Sequence, residues 1–143
     1  MRQVSKLERL MTSTVDNAYE TTKEDCLEWF SVLNEELFDN KLTPLDDIDI
    51  RWRRGAWAYY EYNIDSRKPD YAKLRLCMNK KYTSKKFFVE VLAHEMVHHY
   101  QFLYNERDVN HGSTFRYWTD KFGAKGINLV KSYGDENDES DED

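Results

Sequence analysis

The chain has 143 residues, 40% hydrophobic and 34% charged, and no apolar run approaches the ~20 residues that a membrane helix needs. That composition predicts one globular domain with a core of ordinary size and no membrane partner. The net charge of −6 hides a segregation: residues 16–49 carry −9, residues 51–86 carry +8, and residues 135–143 carry −7. The overall balance argues against a polyanion partner, whereas the middle block argues for one. Two cysteines, Cys26 and Cys77, lie far apart and outside any CxxC pattern. A thiolate zinc site and a disulfide framework are therefore not expected; two reduced, mostly buried thiols are.

In chain order, Val4, Leu7, Met11, Val15 and Ala18 recur at helical spacing and predict a first helix over 3–18. The N-terminal "MRQVSKLERLMTSTVD" has no continuous apolar signal core, so an intracellular protein is expected. A second helix is predicted over 23–38. Thr22 is a good N-cap, acids fill the first turn, and Leu27, Phe30, Leu33 and Leu37 form its stripe. "DNKLTP" ends it. Three β-like runs follow. "DIDIRW" puts Ile48, Ile50 and Trp52 on one face, "AWAYYEYN" is aromatic-rich after Gly55, and "AKLRLCMN" alternates around Leu74 and Leu76. A turn is expected at 65–70, "DSRKPD".

Residues 84–104 predict the longest helix, capped by Ser84. Its apolar residues lie almost all round, which makes it central and buried. "NERDVNHG" reads as a polar loop, "STFRYWTDKF" as a short helix stopped near Gly123, and "INLVKSYG" as a late strand or extended segment. "DENDESDED", residues 135–143, is low in complexity and expected to be disordered.

The chemistry sits in "LAHEMVHHYQ". His94-Glu95-Met96-Val97-His98 is H-E-x-x-H inside a predicted helix. Four residues make about 400° of turn, so His94 and His98 stack on one face. Two imidazoles so placed can reach one metal ion, and the neighbouring Glu95 can reach its water as a general base. A catalytic zinc ion needs a third protein ligand and one open position. A Gly three residues after His98 and a His six after would fit one class of zinc protease, but Gln101 and Tyr104 stand there. The later acids Glu106, Asp108 and Asp120 lack a convincing helical context. His111, in "NHG", remains. His99 lies about 100° on from His98 and is expected to be a hydrogen-bonded packing histidine. Arg116 and Tyr117 are possible donors to a developing oxyanion.

"LAHEMVHHYQ" followed by "HGSTFRYW" resembles the SprT-like metalloprotease domain family, to which Spartan belongs. Upstream, "WFSVLNEELFDNKLTPLDDIDIRW", the "GAW" strand and the strand ending "LCMN" extend the resemblance over roughly residues 22–122. It implies His94, His98 and His111 as ligands of one catalytic Zn2+, with Glu95 as general base. It also implies an α+β, zincin-like fold with N-terminal helices, a small, mostly antiparallel sheet of about three strands, and the HExxH helix at its centre. Many members carry a C-terminal zinc ribbon of paired cysteines, for which this chain has no residues. The expected organisation is an N-terminal helical extension over 1–21, a SprT-like domain over 22–134 and an acidic tail over 135–143.

The expected function is that of a zinc endopeptidase acting on protein, including protein bound or crosslinked to DNA. The alternative is a non-proteolytic nucleic-acid- or protein-binding module stapled by zinc. Glu95 weighs against it, because a structural site has no use for that carboxylate. Basic residues interleaved with Trp and Tyr suit single-stranded or irregular DNA. The candidate contacts are Arg51, Arg53, Arg54, Lys80, Lys81, Lys85 and Lys86. An aromatic-lined sheet with solvated cations outside would look the same. Zincins commonly hold a substrate strand along a sheet edge, and "AKLRLCMN" is a candidate edge. A monomer is expected. Its compartment would be the cytoplasm of a bacterium (or of the host, for a phage protein), or the nucleus in a eukaryote.

Overall fold

A computed structural model describes residues 5–13, 17–52, 55–65 and 67–129. The elements run α1 (Lys6–Met11), β1 (Tyr19–Glu20), α2 (Lys23–Leu37), β2 (Asp47–Ile50), β3 (Ala58–Asp65), β4 (Lys68–Met78), β5 (Lys81–Tyr82), α3 (Lys85–Tyr104) and α4 (Ser113–Gly123). This is the α+β, zincin-like class, with the HExxH helix at its centre. Among the described residues no helix is long and apolar enough to cross a membrane.

Each long helix begins on its expected cap. Thr22 accepts from the backbone N–H of Asp25 at 3.1 Å, and Ser84 from that of Phe87 at 3.0 Å. The first helix is shorter than its apolar spacing suggested. Ser5 caps it, accepting from the backbone N–H of Glu8, and it stops at Met11; Leu7 and Met11 are the residues it buries. Tyr19 and Glu20 then pair with Tyr82 and Lys81 in an antiparallel two-stranded ribbon. On α2 the buried stripe is Cys26, Trp29, Leu33 and Leu37, while the expected Leu27 is 54% exposed. Burial of the large Trp29 ring sets the rotation of the helix, which turns Leu27 outward. Both cysteines are buried thiols outside any disulfide, and burial pushes the Cys26 thiol up to about 12.

The three-stranded sheet has the order β2-β4-β3, with β2 parallel and β3 antiparallel to β4. This corrects the expectation that "AKLRLCMN" is an edge: it lies in the central strand, and β2 and β3 are the edges among the described residues. The connection from β2 crosses to the far side of β4 through Gly55, whose φ of +80° is open to glycine at no steric cost. The turn expected over 65–70 is tighter, because β3 reaches Asp65 and β4 starts at Lys68. Trp52 does not share the burial of Ile48: β2 ends at Ile50, and Trp52 is 64% exposed. After α4, residues 127–129 form no strand; Ile127 and Leu129 are buried, and the backbone N–H of Asn128 donates to the Glu90 carboxylate at 2.9 Å. Arg53, Arg54 and the acidic tail at 135–143 lie outside the described residues.

The core lies around α3. From Phe88 to His99 every residue of this 20-residue helix is buried. Phe38, Trp118 and Phe122 pack on one another on the α4 side. Trp57, Tyr82 and Phe87 do so on the β5 side. A helix wrapped in this way can carry polar groups only where each finds a partner.

Candidate metal centre

His94 and His98 point from α3 towards α4. Two consecutive left-handed residues, Glu106 (φ +53°) and Arg107 (φ +61°), end the helix and turn the chain back. Neither residue type adopts that conformation cheaply, so the reversal is held by its surroundings. The Asn105 side chain donates to the Asp108 carbonyl at 3.0 Å, and the loop returns over α3 to deliver His111.

The three imidazoles meet through Nε2. His98 and His111 Nε2 are 3.1 Å apart, and His111 and His94 Nε2 are 3.2 Å apart. The three ligand atoms all lie within 4.8 Å of one another. A tetrahedral zinc ion at ~2.0–2.1 Å from each nitrogen would set neighbouring nitrogens about 3.4 Å apart. The donor chemistry fits as well. His111 Nε2 is within hydrogen-bond reach of both other Nε2 atoms, but one N–H serves only one of them. A cation accepts all three lone pairs at once. His94, His98 and His111 are thus a three-histidine group that can hold a metal ion.

Phe115 of α4 forms the wall behind it. Its ring, 2% exposed, lies 4.9, 5.6 and 4.8 Å from the rings of His94, His98 and His111. Burial pulls His98 down to about 4, so this imidazole stays neutral, with a lone pair to offer, well below the usual histidine range. Glu95 stands beside the cluster rather than in it. Its Oε2 is 3.9 Å from His94 Nε2, and both side chains are buried.

Sequence reasoning did not assign Gln101 a role, although a residue three after His98 and seven after His94 shares their face. It is fully buried, and its Oε1 lies 2.9 Å from His98 Nδ1. Its amide also donates to the Asn110 carbonyl at 2.9 Å and the Thr114 hydroxyl at 2.8 Å, and it accepts from the Asn110 N–H at 3.1 Å. Phe115 was missed because nothing short of the fold places α4 against the histidines.

His99 is the packing histidine expected. Its Nε2 is 2.8 Å from the Thr43 carbonyl and its Nδ1 2.9 Å from the Tyr60 hydroxyl. Arg116 and Tyr117 are exposed on α4, with Tyr117 59% accessible.

A comparison with protein families matches residues 26–133 to the SprT-like family. The chain belongs to the SprT-like family. No curated protein matches it. Family membership and the histidine cluster of this SprT-like domain together suggest a metallopeptidase.

Among the described residues of the SprT-like domain, part of the basic block is paired with neighbouring acids. Arg51 is paired with Asp49 at 2.9 Å. Arg75 is paired with Asp47 at 3.2 Å and Glu61 at 3.5 Å, so part of the positive block is neutralised within the sheet. Lys80, Lys81 and Lys85 are exposed and Lys86 is half-buried, all near the start of α3. The interleaved aromatics divide too. Trp57, Tyr60 and Tyr82 pack inward, whereas Trp52, Tyr59 and Tyr62 are at least 39% exposed.

Proposed function

We propose that the protein is a zinc-dependent endopeptidase, with His94, His98 and His111 as ligands and Glu95 as general base. The observation that carries this reading is the meeting of three Nε2 atoms with one carboxylate 3.9 Å from that of His94. A zinc ion bound there supplies Lewis-acid chemistry, lowering the pKa of a water towards ~7 and polarising a carbonyl oxygen. Glu95 takes the proton of the attacking water on a carboxylate oxygen and returns it to the leaving amine. Phe115 and the surrounding core keep bulk water from the imidazoles.

The strand that borders substrate is β3 in this reading. It is an antiparallel edge, and it lies along α3 through the Tyr60–His99 and Tyr62–Phe102 contacts. An extended peptide added to its free edge would be held by main-chain hydrogen bonds beside Glu95. The substrate class is protein, including DNA-bound or DNA-crosslinked protein, and Lys80, Lys81, Lys85 and Lys86 would carry the DNA contact near the start of α3. The catalytic unit is residues 22–134, with 1–21 an extension.

The test is cleavage of a DNA-bound protein, with and without DNA, by wild type and Glu95→Gln. The expected result is cleavage by the zinc-loaded wild type and a loss of roughly 10²–10⁴-fold in the variant with its zinc retained. Equal cleavage by a clean preparation of the variant would sink the mechanism. Cleavage that ignores DNA would remove the DNA-linked part alone.

A further inference from the structure

The side-chain amide of Gln101 can be oriented without ambiguity. One end lies 3.1 Å from the backbone N–H of Asn110, which can only donate, so that end is the oxygen. The other lies 2.9 Å from the Asn110 carbonyl, which can only accept, so that end is the nitrogen. The group facing His98 Nδ1 at 2.9 Å is therefore a carbonyl oxygen. An acceptor there requires the proton on Nδ1, which leaves the lone pair on Nε2, the atom turned towards His94 and His111.

The same amide binds both backbone polar groups of Asn110, the residue before His111, and donates to Thr114 in the first turn of α4 at 2.8 Å. Its four hydrogen-bonding positions are all used, in a side chain with no exposure to solvent. A leucine or methionine would serve as well for packing. A saturated amide at this point does something packing does not: it ties a ligand on the helix to a ligand on the returning loop.

We propose that Gln101 is a positioning residue for the metal centre, selecting the Nδ1–H tautomer of His98 and locking the loop that carries His111 in register with it. This rests on reading the three histidines as a metal site. Groups that orient metal-bound imidazoles typically change metal affinity by roughly 10- to 100-fold when removed.

The experiment has two arms. In the first, long-range ¹H–¹⁵N spectra of the metal-free, full-length protein near neutral pH report which nitrogen of His98 carries hydrogen. Nδ1–H is expected, and Nε2–H overturns the proposal whatever the variants do. In the second, zinc affinity is measured by chelator competition for wild type, Gln101→Leu and Gln101→Glu. Gln101→Leu is expected to bind roughly 10- to 100-fold more weakly. Gln101→Glu restores the acceptor facing His98 and is expected to recover part of that loss and keep the Nδ1–H tautomer. A merely structural role would move neither the tautomer nor this rank order. Folded Gln101→Leu that binds zinc as wild type does overturns the inference but leaves the metal site standing. Wild type that binds no zinc overturns both. If Gln101→Leu does not fold, the wild-type tautomer and Gln101→Glu still decide.

Discussion

His98 and His99 are neighbours in sequence, both buried on one helix, and burial lowers the pKa of both. Their surroundings separate them. His99 spends both ring nitrogens inside the fold, on the Thr43 carbonyl and the Tyr60 hydroxyl, and so pins α3 to β3 and to the segment before β2. His98 spends Nδ1 on Gln101 and turns Nε2 to the other two histidines. The two histidines are thus distinguished by what the second nitrogen meets, not by burial or by residue type. The 100° step of the helix gives one histidine to the three-histidine cluster and the next to the sheet.

The largest expected contrast between the pair is in metal binding. Structural zinc sites bind with apparent free energies of roughly 10–16 kcal/mol over four ligands, so losing one costs on the order of 10²–10³-fold in affinity. His98→Ala should show that loss by chelator competition, while His99→Leu should keep zinc affinity close to that of wild type. Equal losses would mean that His99 also serves the site.

Acid sharpens the comparison. His98 ionises near 4 in the folded chain and near 6.5 when unfolded, so below 6.5 the unfolded state takes up the proton first. Stability is whole above 6.5 and falls as pH drops towards 4, by on the order of 3 kcal/mol for this group. His99 is shifted in the same direction, chiefly by burial. Urea midpoints of metal-free protein across that window should fall, and the fall should shrink in His98→Ala. A flat profile would show that His98 is not held neutral.

Smaller effects belong to the strut. His99→Leu leaves the Thr43 carbonyl and the Tyr60 hydroxyl without their partner and should cost about 2 kcal/mol in urea unfolding. Tyr60→Phe removes one hydroxyl and should cost about 1 kcal/mol. If neither variant moves the midpoint, the His99 contacts are not what fastens α3 to the sheet.

The contrast also explains what could be read in advance. The H-E-x-x-H pair depends on one helix turn, so its geometry follows from spacing, and the divergence of His99 from the pair follows from the same rotation. His111 could be named only as a remaining histidine beside a glycine, because its place depends on the reversal at Glu106 and Arg107, residue types that do not announce a left-handed turn. The spacing puts Gln101 on the same face, but its partners Asn110 and Thr114 reach it only after that reversal. The β1–β5 ribbon pairs two residues with two, too few for any periodicity to register. The central place of β4 is a matter of long-range pairing, which alternation within a strand does not encode.

His94, His98 and His111 would hold a zinc ion with one position left for the water that Glu95 would serve. A crystal structure of the zinc-loaded protein, with the ion located by its anomalous scattering, tests it most directly. The expected result is one ion bound by Nε2 of His94, His98 and His111 at ~2.0–2.1 Å, with solvent in the fourth position beside Glu95. A fourth protein ligand in that position, or an ion held by other residues, would contradict it.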